Sequence, residues 1–132
     1  LEYLGSSVFA NNDISGEVII PSNINTVGEF VFLNNQINSV NWQTQIDTIP
    51  KSLFSGNKIT SITLNSAVKV IDASAFFGNE LTNLNLPDTI EVIGSFAFSN
   101  NKITSFTYPA SLNTIGGSAL SNNDITGNVV MK

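Results

Sequence analysis

The chain has 132 residues, enough for one domain, and a formal net charge of −5 with five cationic side chains, all of them Lys. That balance excludes the basic patch that nucleic acid or an anionic membrane surface requires. The absence of Cys and His removes disulfides, thiolate and imidazole metal sites, nucleophilic triads and imidazole acid–base catalysis.

From the N-terminus, the first recurring feature is Phe9 followed three residues later by Asn12. The same asparagine returns at Asn35, Asn57, Asn79, Asn101 and Asn123, at steps of 23, 22, 22, 22 and 22. A fixed period of this size marks a solenoid, in which each unit is one coil and neighbouring coils supply the core. The units run 1–23, 24–45, 46–67, 68–89, 90–111 and 112–132, the last cut short. They form one repeat domain over 1–132. The chain opens in mid-register without Met, as an excerpt of a longer protein would, and this fragment shows no signal peptide.

Unit five shows the order of elements within a coil. Ile90-x-x-Ile93 reads as a short strand or extended turn. The next column is Gly5, Gly28, Pro50, Asp72, Gly94 and Gly116. Pro cannot take a positive φ, so this column reads as a crowded turn and not a left-handed one. Residues 95–98 suggest one 3₁₀-like turn. Phe9, Phe32, Phe54, Phe76 and Phe98, with Leu120, then form an aromatic spine. The position before each recurring asparagine holds Asn11, Asn34, Gly56, Gly78, Asn100 and Asn122, the residue types that tolerate a left-handed backbone, so positive φ is expected there. The six recurring asparagines should point inward and satisfy backbone groups orphaned at the turn, stacking as a structural ladder. Segment 103–108, apolar-x-x-apolar-x-apolar, ends with the alternation of a strand. No stretch supports a long helix or a membrane span, so direct membrane insertion is not expected.

These columns resemble the BspA-like, treponemal-type class of bacterial leucine-rich repeats. The carrying residues are Leu-Thr-Asn-Leu-Asn-Leu-Pro at 81–87, then Ile90-x-x-Ile93-Gly94-x-x-Ala97-Phe98-x-x-Asn101. The resemblance covers essentially the whole chain in six copies. It implies a leucine-rich repeat solenoid of the α/β horseshoe class but β-dominated, right-handed and gently curved, with about six coils of 22–23 residues. Its main parallel sheet would come from 38–43, 60–65, 82–87, 104–109 and their terminal mates. It further implies a cell-surface or secreted bacterial protein of adhesin type, with a protein or extracellular-matrix ligand, no cofactor and no catalytic motif. Pro50 for Gly, Trp42 for Leu, and Gln43 and Asn65 for the Pro after the strand depart from the pattern.

Units one and six share Asn-Asn-Asp-Ile-Ser/Thr-Gly, at 11–16 and 122–127, and each carries one extra residue before its strand ends. Gly16 and Gly127 therefore read as bulge positions. The outward strand positions pave one face with hydroxyls and amides. Ser39, Asn41, Ser61, Thr63, Asn83, Asn85, Ser105 and Thr107 are the candidate ligand-binding residues, flanked by Asn38, Thr60, Thr82 and Thr104. The same pattern also describes a merely solvated face. Ile19 and Val130 are outward apolar exceptions. Trp42 could stack on a sugar, but it falls in the inward column of Ile20, Leu64, Leu86, Tyr108 and Met131, so it is read as core with its N–H reaching water at the rim. The carboxylates fall in different columns, which argues against a glycosidase pair and against a dense metal loop. The leading expectation is a non-enzymatic binding module acting through the polar face. The alternatives are a structural stalk whose solenoids stack end to end, and a carbohydrate-binding module that lacks an exposed aromatic platform.

Overall fold

The computed structural model describes residues 1–131; Lys132, the last residue of unit six, lies outside them. Each unit makes one coil, and nine short strands line the coils. In chain order they are β1 (Tyr3–Leu4), β2 (Ser15–Ile20), β3 (Thr26–Val27), β4 (Gln36–Trp42), β5 (Thr48–Ile49), β6 (Ser61–Leu64), β7 (Val70–Ile71), β8 (Val92–Ile93) and β9 (Thr114–Ile115). Strands β2, β4 and β6 pair as one parallel sheet, β5, β7, β8 and β9 as a second, and β1 with β3 as a third. No helix occurs among the described residues.

The joint that runs through every junction lies at the turn, not in a sheet. Across each of the five junctions, three N–H groups of one coil donate to carbonyls of the next. Between coils four and five these are Ser74 to Ser95 at 2.9 Å, Phe76 to Ala97 at 2.9 Å and Gly78 to Ser99 at 3.0 Å. The sequence suggested a 3₁₀-like turn at 95–98. The structure instead shows two overlapping turns, with Ala97 N–H donating to Gly94 and Ser99 N–H to Phe96. Phe96, third residue of the first turn and first of the second, has φ of +59°, and its equivalents Ser7, Phe30, Ser52, Ser74 and Ser118 have φ of +53° to +62°. A 3₁₀ helix needs negative φ throughout, and a positive φ at the third residue belongs to a type II turn. The expected left-handed column is present as well, at Asn11, Asn34, Gly56, Gly78, Asn100 and Asn122, with φ between +54° and +71°. Two left-handed residues per turn aim alternate N–H groups at the next coil.

Gly94 and Gly116 occupy the crowded turn without positive φ. A Cβ on Gly94 would sit 2.6 Å from the Ala73 amide nitrogen, and one on Gly116 2.5 Å from that of Ser95. At this column Gly28, Asp72, Gly94 and Gly116 donate N–H to Leu4, Ile49, Ile71 and Ile93. Pro50 has no N–H to give. Strands β3 and β5 do not pair, and ahead of them a recess of about 230 Å³ lies between coils two and three, lined by Ile24, Asn25, Thr44 and Ile46. Thr44 Oγ1 spans it, donating to the Ile24 carbonyl at 2.6 Å. The Trp42 indole is 1% exposed, and its N–H donates to the Ile46 carbonyl at 3.2 Å. This corrects the expectation that water would satisfy that group.

A second break corrects the expected sheet. Residues 82–87 and 104–109 do not form strands. Pairing persists at their first residues, where Thr104 N–H donates to Thr82 at 3.1 Å and Thr126 to Thr104 at 3.2 Å. Gln43 donates to Ile20 at the end of β4, but Pro87 and Pro109 cannot supply the equivalent rung. The inward positions of coil five are also enlarged, with Phe106 and Tyr108 where coil two has Val40 and Trp42 and coil four has Leu84 and Leu86. Phe106 and Tyr108 are only half-buried, unlike Val40 and Trp42. The long sheet therefore spans coils one to three, and the short-strand ladder spans coils three to six. Gly16, at φ +81°, marks a register shift between Gly16 and Glu17 that absorbs the extra residue of unit one, and Gly127 has φ +83°.

Inside, Phe32, Phe54, Phe76 and Phe98 stack, and the exposed Phe9 continues the row at the first coil, with centroids 5.5–5.8 Å apart and planes within 19°. Coils rise by about 4.8 Å, the strand spacing, so each ring is offset from its neighbour as ring quadrupoles prefer. The asparagines beside this stack bond in one direction. Asn57 Nδ2 donates to Phe54 of its own coil at 3.0 Å and to Phe32 of the preceding coil at 2.9 Å, while its Oδ1 accepts the Ile37 N–H at 3.1 Å. Asn35, Asn79, Asn101 and Asn123 repeat the scheme. Asn12 has no preceding coil here. It is exposed, and its amide donates only within its own coil, to Phe9 and Ala10.

Candidate recognition face

The asparagine ladder also orders the outer face. Each Oδ1 holds the N–H of the residue just before an outward position: Ile59 before Thr60, Leu81 before Thr82, and Ile103 before Thr104. The next outward positions follow the strand alternation. In coils one to three the register aligns Glu17 with Ser39 and Ser61, and Ile19 with Asn41 and Thr63. Neighbouring members of a row are therefore about one strand spacing, ~4.8 Å, apart. Ser39 and Asn41 are half-buried between flanking strands, while Ser61 and Thr63 are exposed. Ile19 is 49% exposed and Val130 67%, which places both apolar exceptions at the surface.

Asn83, Asn85, Ser105 and Thr107 are all exposed, but they lie on the segments whose pairing is broken. The structure thus divides the eight sequence candidates into two groups. Ser39, Asn41, Ser61 and Thr63 belong to a rigid sheet. Asn85 and Thr107 instead line a cleft of about 440 Å³ between coils four and five, together with Leu84, Leu86, Pro87, Asp88, Tyr108 and Pro109. Asp88 Oδ1 accepts the Ala110 N–H at 2.9 Å, which fixes the carboxyl at one wall. Tyr108 is half-exposed and packs edge-on to Phe106, with centroids 5.0 Å apart and planes at 73°. Sequence reasoning placed Tyr108 in the core column and found no aromatic platform on this side. Pro109 was the available signal, since it lacks the N–H whose counterpart on Gln43 donates to Ile20 of the preceding coil.

No group of three or more acidic side chains approaches closely enough to hold a metal ion among the described residues. On the turn side, Phe96 is 46% exposed, and the Lys51 ammonium lies 5.8 Å from the Phe30 ring centroid.

Parallel coils of 22–23 residues around an asparagine ladder define a leucine-rich repeat solenoid. The description of the BspA type leucine rich repeat region fits residues 2–126 in six copies, and the chain belongs to that family. Two solved structures share the fold. One is a leucine-rich repeat protein from Eubacterium ventriosum ATCC 27560, with TM-score 0.66 and 25% identity over 96% of this chain and 35% of that one. The other is a leucine rich cell surface protein from Faecalibacterium prausnitzii A2-165, with TM-score 0.54 and 19% identity over 95% of this chain and 43% of that one. The chain thus spans less than half the length of either. No curated protein matches it significantly.

Proposed function

We propose that the chain is the recognition segment of a bacterial surface or secreted protein, and that it binds a protein or matrix ligand through the polar face without catalysing a reaction. The observation that carries this reading is the alignment of Ser39 with Ser61 and of Asn41 with Thr63 on one rigid sheet. Preorganised hydroxyls and amides bind with little ordering cost. The face is nearly uncharged, with Glu17 the one carboxylate in its two aligned rows, so association there does not depend on electrostatic steering. The likeness to a cell surface protein from Faecalibacterium prausnitzii supports the surface location. The test is binding of the immobilised chain to fluorescent collagen, laminin and vitronectin, beside a variant with Asn41, Thr63, Asn85 and Thr107 all changed to Ala. Retention of a ligand that the variant loses, with an unchanged circular dichroism spectrum, is expected. A ligand held equally by the variant would refute the face assignment, and no retention of any ligand would refute the recognition reading.

A further inference from the structure

We infer that the cleft between coils four and five is a subsite for one neutral pyranose unit of a polysaccharide, stacked on Tyr108 and hydrogen-bonded by Asn85, Thr107 and Asp88. The inference rests on the recognition reading above, since Asn85 and Thr107 belong to the same face.

Pro109 has no N–H to donate to the Leu86 carbonyl across this junction, and residues 82–87 and 104–109 form no strand, so the two coils part here to form the cleft. Its volume of about 440 Å³ lies in the range of small-ligand sites, ~300–1,000 Å³. The chemistry of its wall is specific. The Tyr108 ring is braced by the Phe106 edge at 5.0 Å, and its hydroxyl donates to Met131 Sδ at 2.8 Å. That leaves a positioned, half-exposed aromatic surface for the C–H face of a sugar ring. Asp88 Oδ1 is committed to the Ala110 amide, while Oδ2, on an exposed residue of the cleft wall, has no partner among the described residues and is free to accept from sugar hydroxyls. Asn85 and Thr107 add donors and acceptors on the facing coil segments. No Lys or Arg lines the cleft. A carboxylated or sulfated sugar would meet Asp88 without a compensating cation, which selects a neutral unit. The groove opens to solvent between two coils, so a polymer can enter with one unit seated and the rest outside.

The test is affinity electrophoresis of the whole chain in gels containing xyloglucan or galactomannan, with polygalacturonate as the anionic control. Two variants address the cleft. Tyr108→Leu installs the residue that the equivalent positions hold at Leu64 and Leu86, so the coil should accept it. Asp88→Asn keeps Oδ1 for the Ala110 amide and removes the charge. Each should weaken retention by a neutral polymer about tenfold, the loss of one good contact. Paired changes Asn41→Ala and Thr63→Ala, outside the cleft, should leave retention unchanged. Failure of both neutral polymers to retard the chain, stronger retardation by polygalacturonate, or equal loss in the Asn41/Thr63 pair would overturn the inference. If no polysaccharide binds while a matrix protein is still held through Asn41 and Thr63, the cleft inference falls and the recognition reading stands. If a matrix protein instead depends on Tyr108 and Asp88, the occupant is a peptide and the sugar inference falls.

Discussion

Replacing Asn57 by Ala tests the ladder at its centre. Asn57 is 4% exposed, and its side chain makes bonds to two coils. Truncation orphans the buried Ile37 N–H, whose partner is Asn57 Oδ1, at about 1–3 kcal/mol. The two carbonyls lose less. Phe32 keeps the bond from Asn35, and Phe54 keeps the bond from Asn79, so each falls from two side-chain donors to one, at about 0.5–1 kcal/mol apiece. The total is about 2–5 kcal/mol. Asn12→Ala provides the internal control. Asn12 is exposed and bonds only within its own coil, and Phe9 retains the donor from Asn35, so the cost should stay below about 1 kcal/mol. Urea denaturation followed by Trp42 fluorescence and by circular dichroism measures both variants. In a thermal scan, a chain of this length with the Asn57 change should melt about 6–20 °C lower. Equal stability of the two variants would refute the claim that the ladder ties coils together.

Other outcomes follow from single sites. Gly94→Ala should cost more than about 2 kcal/mol, because its Cβ would meet the backbone of coil four at 2.6 Å and backbone cannot step aside; denaturation midpoints check this. Phe96→Asn should stabilise the chain by about 0.5–1 kcal/mol, since Phe96 is exposed at φ +59° and Asn tolerates the left-handed region. Trp42→Leu should destabilise by about 2–4 kcal/mol through lost volume and an orphaned Ile46 carbonyl, and thermal melting would show it.

Much of the coil was legible because the residues that build it recur. The asparagine ladder, the phenylalanine stack and the left-handed position at Asn11, Asn34 and Gly56 each follow from residue types repeated at fixed spacing. The second left-handed column was not legible. Ser and Phe carry no preference for positive φ, and Phe30 and Phe96 argue against it; cross-coil bonding at the turn overrides their local preference. The breaks were missed for a related reason. Pro50 is a single-residue change inside a strong pattern, Pro87 and Pro109 are part of that pattern, and the effect of each appears only when the N–H it lacks is matched to a carbonyl one coil away. The cleft beside Tyr108 is therefore a product of register, while Ser39, Asn41, Ser61 and Thr63 could be assigned from strand alternation alone.

Hydrogen exchange of the asparagine side-chain amides, read residue by residue by NMR, tests most directly whether stacked coils are held from within. The carboxamides of Asn35, Asn57, Asn79 and Asn101, all buried and bonded across coils, should exchange far more slowly than that of Asn12. Six carboxamides exchanging alike at the rate of free asparagine would contradict the architecture on which the face and the cleft depend.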